Sequence, residues 1–143
     1  MSKTDFSSDQ KPGYNDLDVI LIRYTPKSWV AKFLNAVLRF LKGNYYDDMA
    51  IVYDSTPQKG GGLEIIMVDG INIERIPIAE WRGNITAGKF HCKVINLLRY
   101  DSTLYRMRLE SYIAAQVVGD SVSLVSNVFH LSEHRINALL KSK

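Results

Sequence analysis

The segment from Trp29 to Leu41 constrains this chain more than any other. In PKSWVAKFLNAVLRFLKGN the polar residues Ser28, Lys32, Asn35, Arg39 and Lys42 recur at spacings of three and four. On a helix they line one narrow stripe, and nearly everything else on the circumference is apolar. Pro26 stands at a natural helix start, and Gly43-Asn44 supplies the stop. Such a helix has to be covered, and three coverings are open. The plainest is a sandwich between the sheet and another layer of the same domain, which buries Trp29, Phe33, Val37 and Phe40 within the isolated chain. The others are a protein interface and an interfacial contact with a membrane. Those four residues span more than one face, which a small domain cannot easily cover, so they are the candidate binding residues. A protein partner in an assembly is the expected occupant, and membrane contact through the 27–42 helix is the less favoured one.

The remaining patterns are those of an α+β domain. Asp18 to Tyr24 (DVILIRY) is a nearly continuous apolar run, as in a strand buried on both faces. MAIVY (49–53) and LEIIMV (63–68) follow as strands, separated by the connection STPQKGGG. Asp69-Gly70 is a two-residue hairpin signal leading into INIERI, and Pro77 ends that strand. KFHCKVINL (89–97) is a fifth strand. Helices are expected from Asp101 or Ser102 to about Val118, closed by Gly119, from about Ser121 to Phe129, and from the N-cap Ser132 onward, with Leu131 and Ile136 as a hydrophobic staple. The expectation is a mostly antiparallel sheet of about five strands packed with three to four helices.

At 143 residues, with 46% hydrophobic and 23% charged side chains, the chain holds one ordinary core. Residues 1–15 read as a polar tail and 16–143 as a single domain. The start MSKTDFSSDQKPGYN lacks an apolar leader, so no secretory signal is expected. The apolar helix is interrupted by Lys32, Asn35 and Arg39 and falls short of a membrane span. These features point to a cytoplasmic chain. The net charge of +3 comes without a dense basic run, so no nucleic-acid partner is expected. Cys92 is the only cysteine, which excludes an intrachain disulfide and a cysteine-rich zinc site.

Other candidate chemistry reduces to structure. His130-Leu131-Ser132-Glu133-His134 matches HxxEH, but the capping signals at Leu131 and Ser132 break the helix between the two histidines. His91 and Cys92 are strand neighbours pointing to opposite faces, so they form no dyad. Lys59 precedes Gly60, Gly61 and Gly62 in the wrong order for a phosphate loop. No metal or cofactor is expected.

The stretches LDVILIR, KSWVAKFLNAVLRFLKGN and YYDDMAIVYD, followed by LEIIMVDGINIERIPIAEW and DSVSLVSNVF, resemble the circularly permuted papain-like fold. That group includes the permuted NlpC-type cell-wall hydrolases and the lecithin–retinol acyltransferase-like proteins. The similarity covers roughly residues 17–130. The resemblance places Asp48 where the family has histidine. It places Ser121 where the family has cysteine, with Asp120 or Ser123 if the alignment slips. Asp69 falls at the polar orienting position if Tyr53/Asp54 faces Leu63, and Leu17 replaces the usual glycine. A serine needs a general base with a pKa near the working pH, and an ordinary carboxylate falls short by about three units. The resemblance therefore implies a catalytically degenerate domain reused as a binding or structural module. Family settings suggest a phage virion or another large assembly. The alternative is an active hydrolase or acyltransferase on peptide, peptidoglycan or lipid amide bonds.

Overall fold

The apolar runs pair into one sheet that is buried on both faces and therefore needs two covering layers. The computed structural model describes residues 13–55, 62–69, 72–116 and 119–142. Its strands are β1 (Val19–Tyr24), β2 (Asp48–Asp54), β3 (Leu63–Asp69), β4 (Asn72–Pro77) and β5 (Phe90–Ile95). They form one antiparallel five-stranded sheet in the order β4-β3-β2-β1-β5. The α+β class read from the sequence is what the structure shows. Five helices accompany the sheet among the described residues: α1 (Trp29–Lys42), α2 (Ile78–Thr86), α3 (Ser102–Ala115), α4 (Ser121–Phe129) and α5 (Glu133–Lys141).

Strand alternation sorts the core into two clusters. Val19, Leu21, Met49, Ile51, Tyr53 and Ile66 face Tyr105, Leu109, Leu124, Val128 and Ile136 from α3, α4 and α5. Ile20, Ile22, Ala50, Val52 and Ile65 face Tyr14, Trp81 and Phe90 on the other side. Register follows from the pattern: Asp54 pairs with Leu63 and Tyr53 with Glu64, while Asp69 pairs with Asn72 across a two-residue connection. Gly70 of the Asp-Gly signal, and most of the STPQKGGG connection, lie outside the described residues. Pro77 ends β4, an edge strand, where a missing N–H costs no ladder bond.

Several boundaries differ from the sequence reading, each for a local reason. Ser28, not Pro26, caps α1: its hydroxyl accepts from the Ala31 N–H, and Gly43 closes the helix in the left-handed region as expected. Helix α3 ends at Ala115 rather than near Val118. Gln116 takes a left-handed φ of 57°, and its side-chain carbonyl accepts from the Ile73 N–H of β4. The short helix α2 is a full element because Trp81 is driven into the second core cluster, where its ring N–H donates to the Tyr14 hydroxyl at 3.2 Å. Tyr14 was read as part of the polar tail, yet it is buried within the domain. Between α4 and α5, His130 ends one helix in the left-handed region and Ser132 caps the next through the Arg135 N–H. The two histidines of the HxxEH pattern thus sit on different helices.

Leu17, which stands where the resemblance expects glycine, has φ 67° and is fully buried. Its N–H donates to the Val52 carbonyl at 2.6 Å, so the bend is held by β2. In regular structure glycine is less stable than alanine by roughly 0.5–1 kcal/mol. At this left-handed position the order is expected to reverse. Leu17→Ala and Leu17→Gly should both lose about 2–4 kcal/mol in urea denaturation through loss of a buried side chain. The glycine variant should be the more stable of the two by about 1 kcal/mol. An alanine variant as stable as the glycine one would contradict this backbone geometry.

Candidate functional site

Helix α1 carries its polarity the wrong way round for a core helix. The middle of its polar stripe, Asn35 and Arg39, faces the domain, while Ser28, Lys32 and Lys42 at its edges and ends are exposed. Asn35 and Arg39 are half-buried, and none of the helix's residues is fully buried. The contact is built on one guanidinium: Arg39 Nε donates to Asp47 Oδ1 at 2.8 Å and Nη2 to Oδ2 at 2.7 Å. The same Nη2 donates to the Tyr24 carbonyl at 2.6 Å, and Asp47 Oδ2 accepts the Tyr24 N–H at 2.9 Å. The clamp therefore ties α1 to the end of β1. The ion pair is largely shielded, with side-chain exposures of 15% and 18%, so each forked bond is stronger than at an open surface.

The apolar face turns to solvent. Trp29 is 79% exposed, Phe33 59%, Val37 37% and Phe40 84%. Val30, Leu34, Leu38 and Leu41 are exposed beside them. This corrects the sandwiched arrangement, in which all four candidate residues are buried. The covering layer is absent because the sheet faces are already filled by α2 on one side and α3, α4 and α5 on the other. At a full aromatic area of roughly 150–250 Å² each, the three aromatic residues alone leave on the order of 400 Å² of apolar surface open. That equals what is usually the largest apolar patch of a whole monomer, about 300–600 Å². Trp29 and Phe33 stack on one another with centroids 6.3 Å apart, which leaves their outer faces free.

Of the three residues that the resemblance singles out, Ser121 and Asp48 are engaged in hydrogen bonds and Asp69 is exposed. Ser121 is 2% exposed at the start of α4, and its hydroxyl accepts the Val68 N–H of β3 at 2.8 Å. The ladder pairs of β2 and β3 end at Ile51 and Ile66, and the serine takes up the next strand donor where the two strands part. Asp48 accepts from the Tyr24 hydroxyl at 3.0 Å and from the Met49 N–H at 2.8 Å. Burial pushes its carboxyl above the usual carboxylate range, the two hydrogen bonds oppose this, and the nearby charges of Asp120 and Asp47 add to the rise. Asp69 is exposed at the hairpin end of β3. Asp120 caps α4, its carboxylate accepting the Ser123 N–H at 2.7 Å.

The histidines do not complete a dyad. His91, His130 and His134 are exposed, and among the described residues none hydrogen-bonds Ser121. Cys92 is half-buried near the Tyr14 hydroxyl, 3.8 Å away, and burial pushes its thiol up, away from the reactive thiolate. No group of three or more His, Cys, Asp or Glu side chains among the described residues is placed to hold a metal ion. No helix among them is long and apolar enough to cross a membrane.

Two features of this site were not read from the sequence: the Arg39–Asp47 clamp, and the place of Val30, Leu34, Leu38 and Leu41 beside the four candidate binding residues on the exposed face. The helical spacing held the second signal, since Val30, Leu34, Leu38 and Leu41 occupy the same broad arc. Comparison with protein-family models, with curated proteins and with solved structures found no match.

If Ser121 is a strand-capping group, Ser121→Ala should cost about 1–3 kcal/mol of unfolding free energy, the usual penalty for a buried N–H left without an acceptor. An unchanged stability would contradict that role. Asp48 has a folded-state pKa above its unfolded one, so its contribution favours folding at acid pH and is lost as pH rises through the folded value. Asp48→Asn is therefore expected to raise the melting temperature at pH 7, with the gain shrinking as pH falls through the carboxylate range. A gain independent of pH would show that the buried charge is not its source.

Proposed function

We propose that this chain is a non-catalytic binding module that docks through the apolar face of α1. One observation carries the reading: eight large apolar side chains of α1 stand exposed while the middle of its polar stripe is used to hold the helix to the domain. Stability alone would favour the opposite rotation, so the exposed face has to be accounted for by something that covers it. A permuted papain-like scaffold with its catalytic positions turned to structural use fits this reading. Ser121 caps a strand, Asp48 is held by Tyr24, and Leu17 fills core space. The setting it favours is a larger assembly in which α1 is covered.

Two measurements on purified protein test this. No turnover of peptide, peptidoglycan or ester substrates is expected, and turnover abolished by Ser121→Ala would restore the hydrolase reading. Replacing Phe33 and Phe40 together by Ser should leave the unfolding free energy within about 0.5 kcal/mol of wild type, as for other surface changes. A loss of about 3–5 kcal/mol per residue, the usual cost of truncating a core phenylalanine, would mean that the α1 face is packed within the chain, and the docking reading would fall.

A further inference from the structure

Resting on that docking reading, we infer that the surface covering α1 is an anionic lipid bilayer, with the helix lying in the interfacial plane. The first support is charge. From Val19 to Tyr46 the chain contains Arg23, Lys27, Lys32, Arg39 and Lys42 and no acidic residue. Asp47, the first acid after this stretch, is taken up by Arg39. Lys27, Lys32 and Lys42 form no ion pair among the described residues, and Lys141 of α5 comes close to the end of α1 beside Gly43. At 100° per residue, Lys32 borders one side of the apolar arc and Lys42 the other. Lysines at both borders meet lipid phosphates and carboxylates at headgroup depth while the apolar side chains sink below them.

The shape of the face argues the same way. A helix that fits a protein groove offers one stripe of anchors at i, i+3, i+4 and i+7. Here large apolar side chains run from Trp29 through Phe40, Phe33, Val37, Val30, Leu41 and Leu34 to Leu38, about half the circumference by helical spacing. Such a ridge, about 21 Å long for 14 residues, has to be surrounded from three sides, which a fluid acyl layer does without a preformed groove. A second copy of the chain is a poorer match. Pairing α1 with itself would bring lysine borders together with no α1 carboxylate to meet them.

The chain has two tryptophans, and only one reports on this surface: Trp29 is 79% exposed and Trp81 1%. The full chain is mixed with vesicles of phosphatidylcholine alone or of phosphatidylcholine with phosphatidylserine. Sedimentation and tryptophan emission are then recorded. Co-sedimentation with the serine-containing vesicles is expected, with a blue shift that Trp29→Phe abolishes and that added salt weakens. Phe40→Ser and Phe33→Ser should each lower the vesicle affinity by about tenfold or more. Lys32→Glu with Lys42→Glu should remove the preference for the anionic vesicles. No binding to either vesicle overturns the inference. So does a concentration-dependent dimer abolished by Phe40→Ser, which would put a second copy on the face, or binding unaffected by any α1 change. If vesicles are ignored while the Phe33→Ser, Phe40→Ser protein keeps its stability, only the lipid inference falls and the docking reading stands.

Discussion

The forked pair between Arg39 and Asp47 decides how the rest of this molecule meets its surroundings. A 14-residue helix is marginal by itself in water, so its position has to come from a tertiary contact. Hydrophobic burial supplies that contact in most domains, but α1 buries none of its residues fully. Instead one guanidinium satisfies a carboxylate and a strand-end carbonyl at once, and the carboxylate in turn holds the Tyr24 N–H. Removing either partner would leave the other shielded and unpaired, which is the costly side of a partly buried ion pair. The direction of the polar stripe then fixes the direction of the apolar face.

The sheet and most helix ends were legible in the sequence because their signals are local. β-branched runs, the spacing across Asp69, and caps such as Asp120 and Ser132 need only a few neighbouring residues to act. The errors lay where a distant group intervened. Tyr14 joins the core because Trp81, 67 residues away, needs an acceptor for its ring N–H. Helix α3 stops early because Gln116 can reach a β4 N–H. The rotation of α1 was illegible for the same reason. Periodicity says which residues share a face, but not which face looks inward, and the usual rule that the apolar face does so fails here.

The positions compared with a papain-like site show how one residue can be read two ways. In the resemblance to that fold, Asp48 and Ser121 stand where a histidine and a cysteine are expected. Seen in space, the aspartate braces Tyr24 and the serine closes the end of a ladder where β2 and β3 part. Leu17 is the same kind of case: a left-handed bend suited to glycine carries a buried leucine, exchanging backbone strain for core volume. The candidate site was therefore half legible. Trp29, Phe33, Val37 and Phe40 could be picked from spacing, whereas the anchor that exposes them required Asp47, eight residues beyond Arg39, to be placed in three dimensions.

The central claim is that, in the free chain, α1 holds the middle of its polar stripe inward and its apolar face in water. Acrylamide quenching of tryptophan emission tests it most directly, comparing wild type with Trp29→Phe at concentrations where the protein is monomeric. The account expects the Trp29 part of the signal to emit at the wavelength of a water-exposed indole and to be quenched freely, while Trp81 stays shielded. A Trp29 signal that is blue-shifted and shielded in the monomer would mean that the chain covers this face itself.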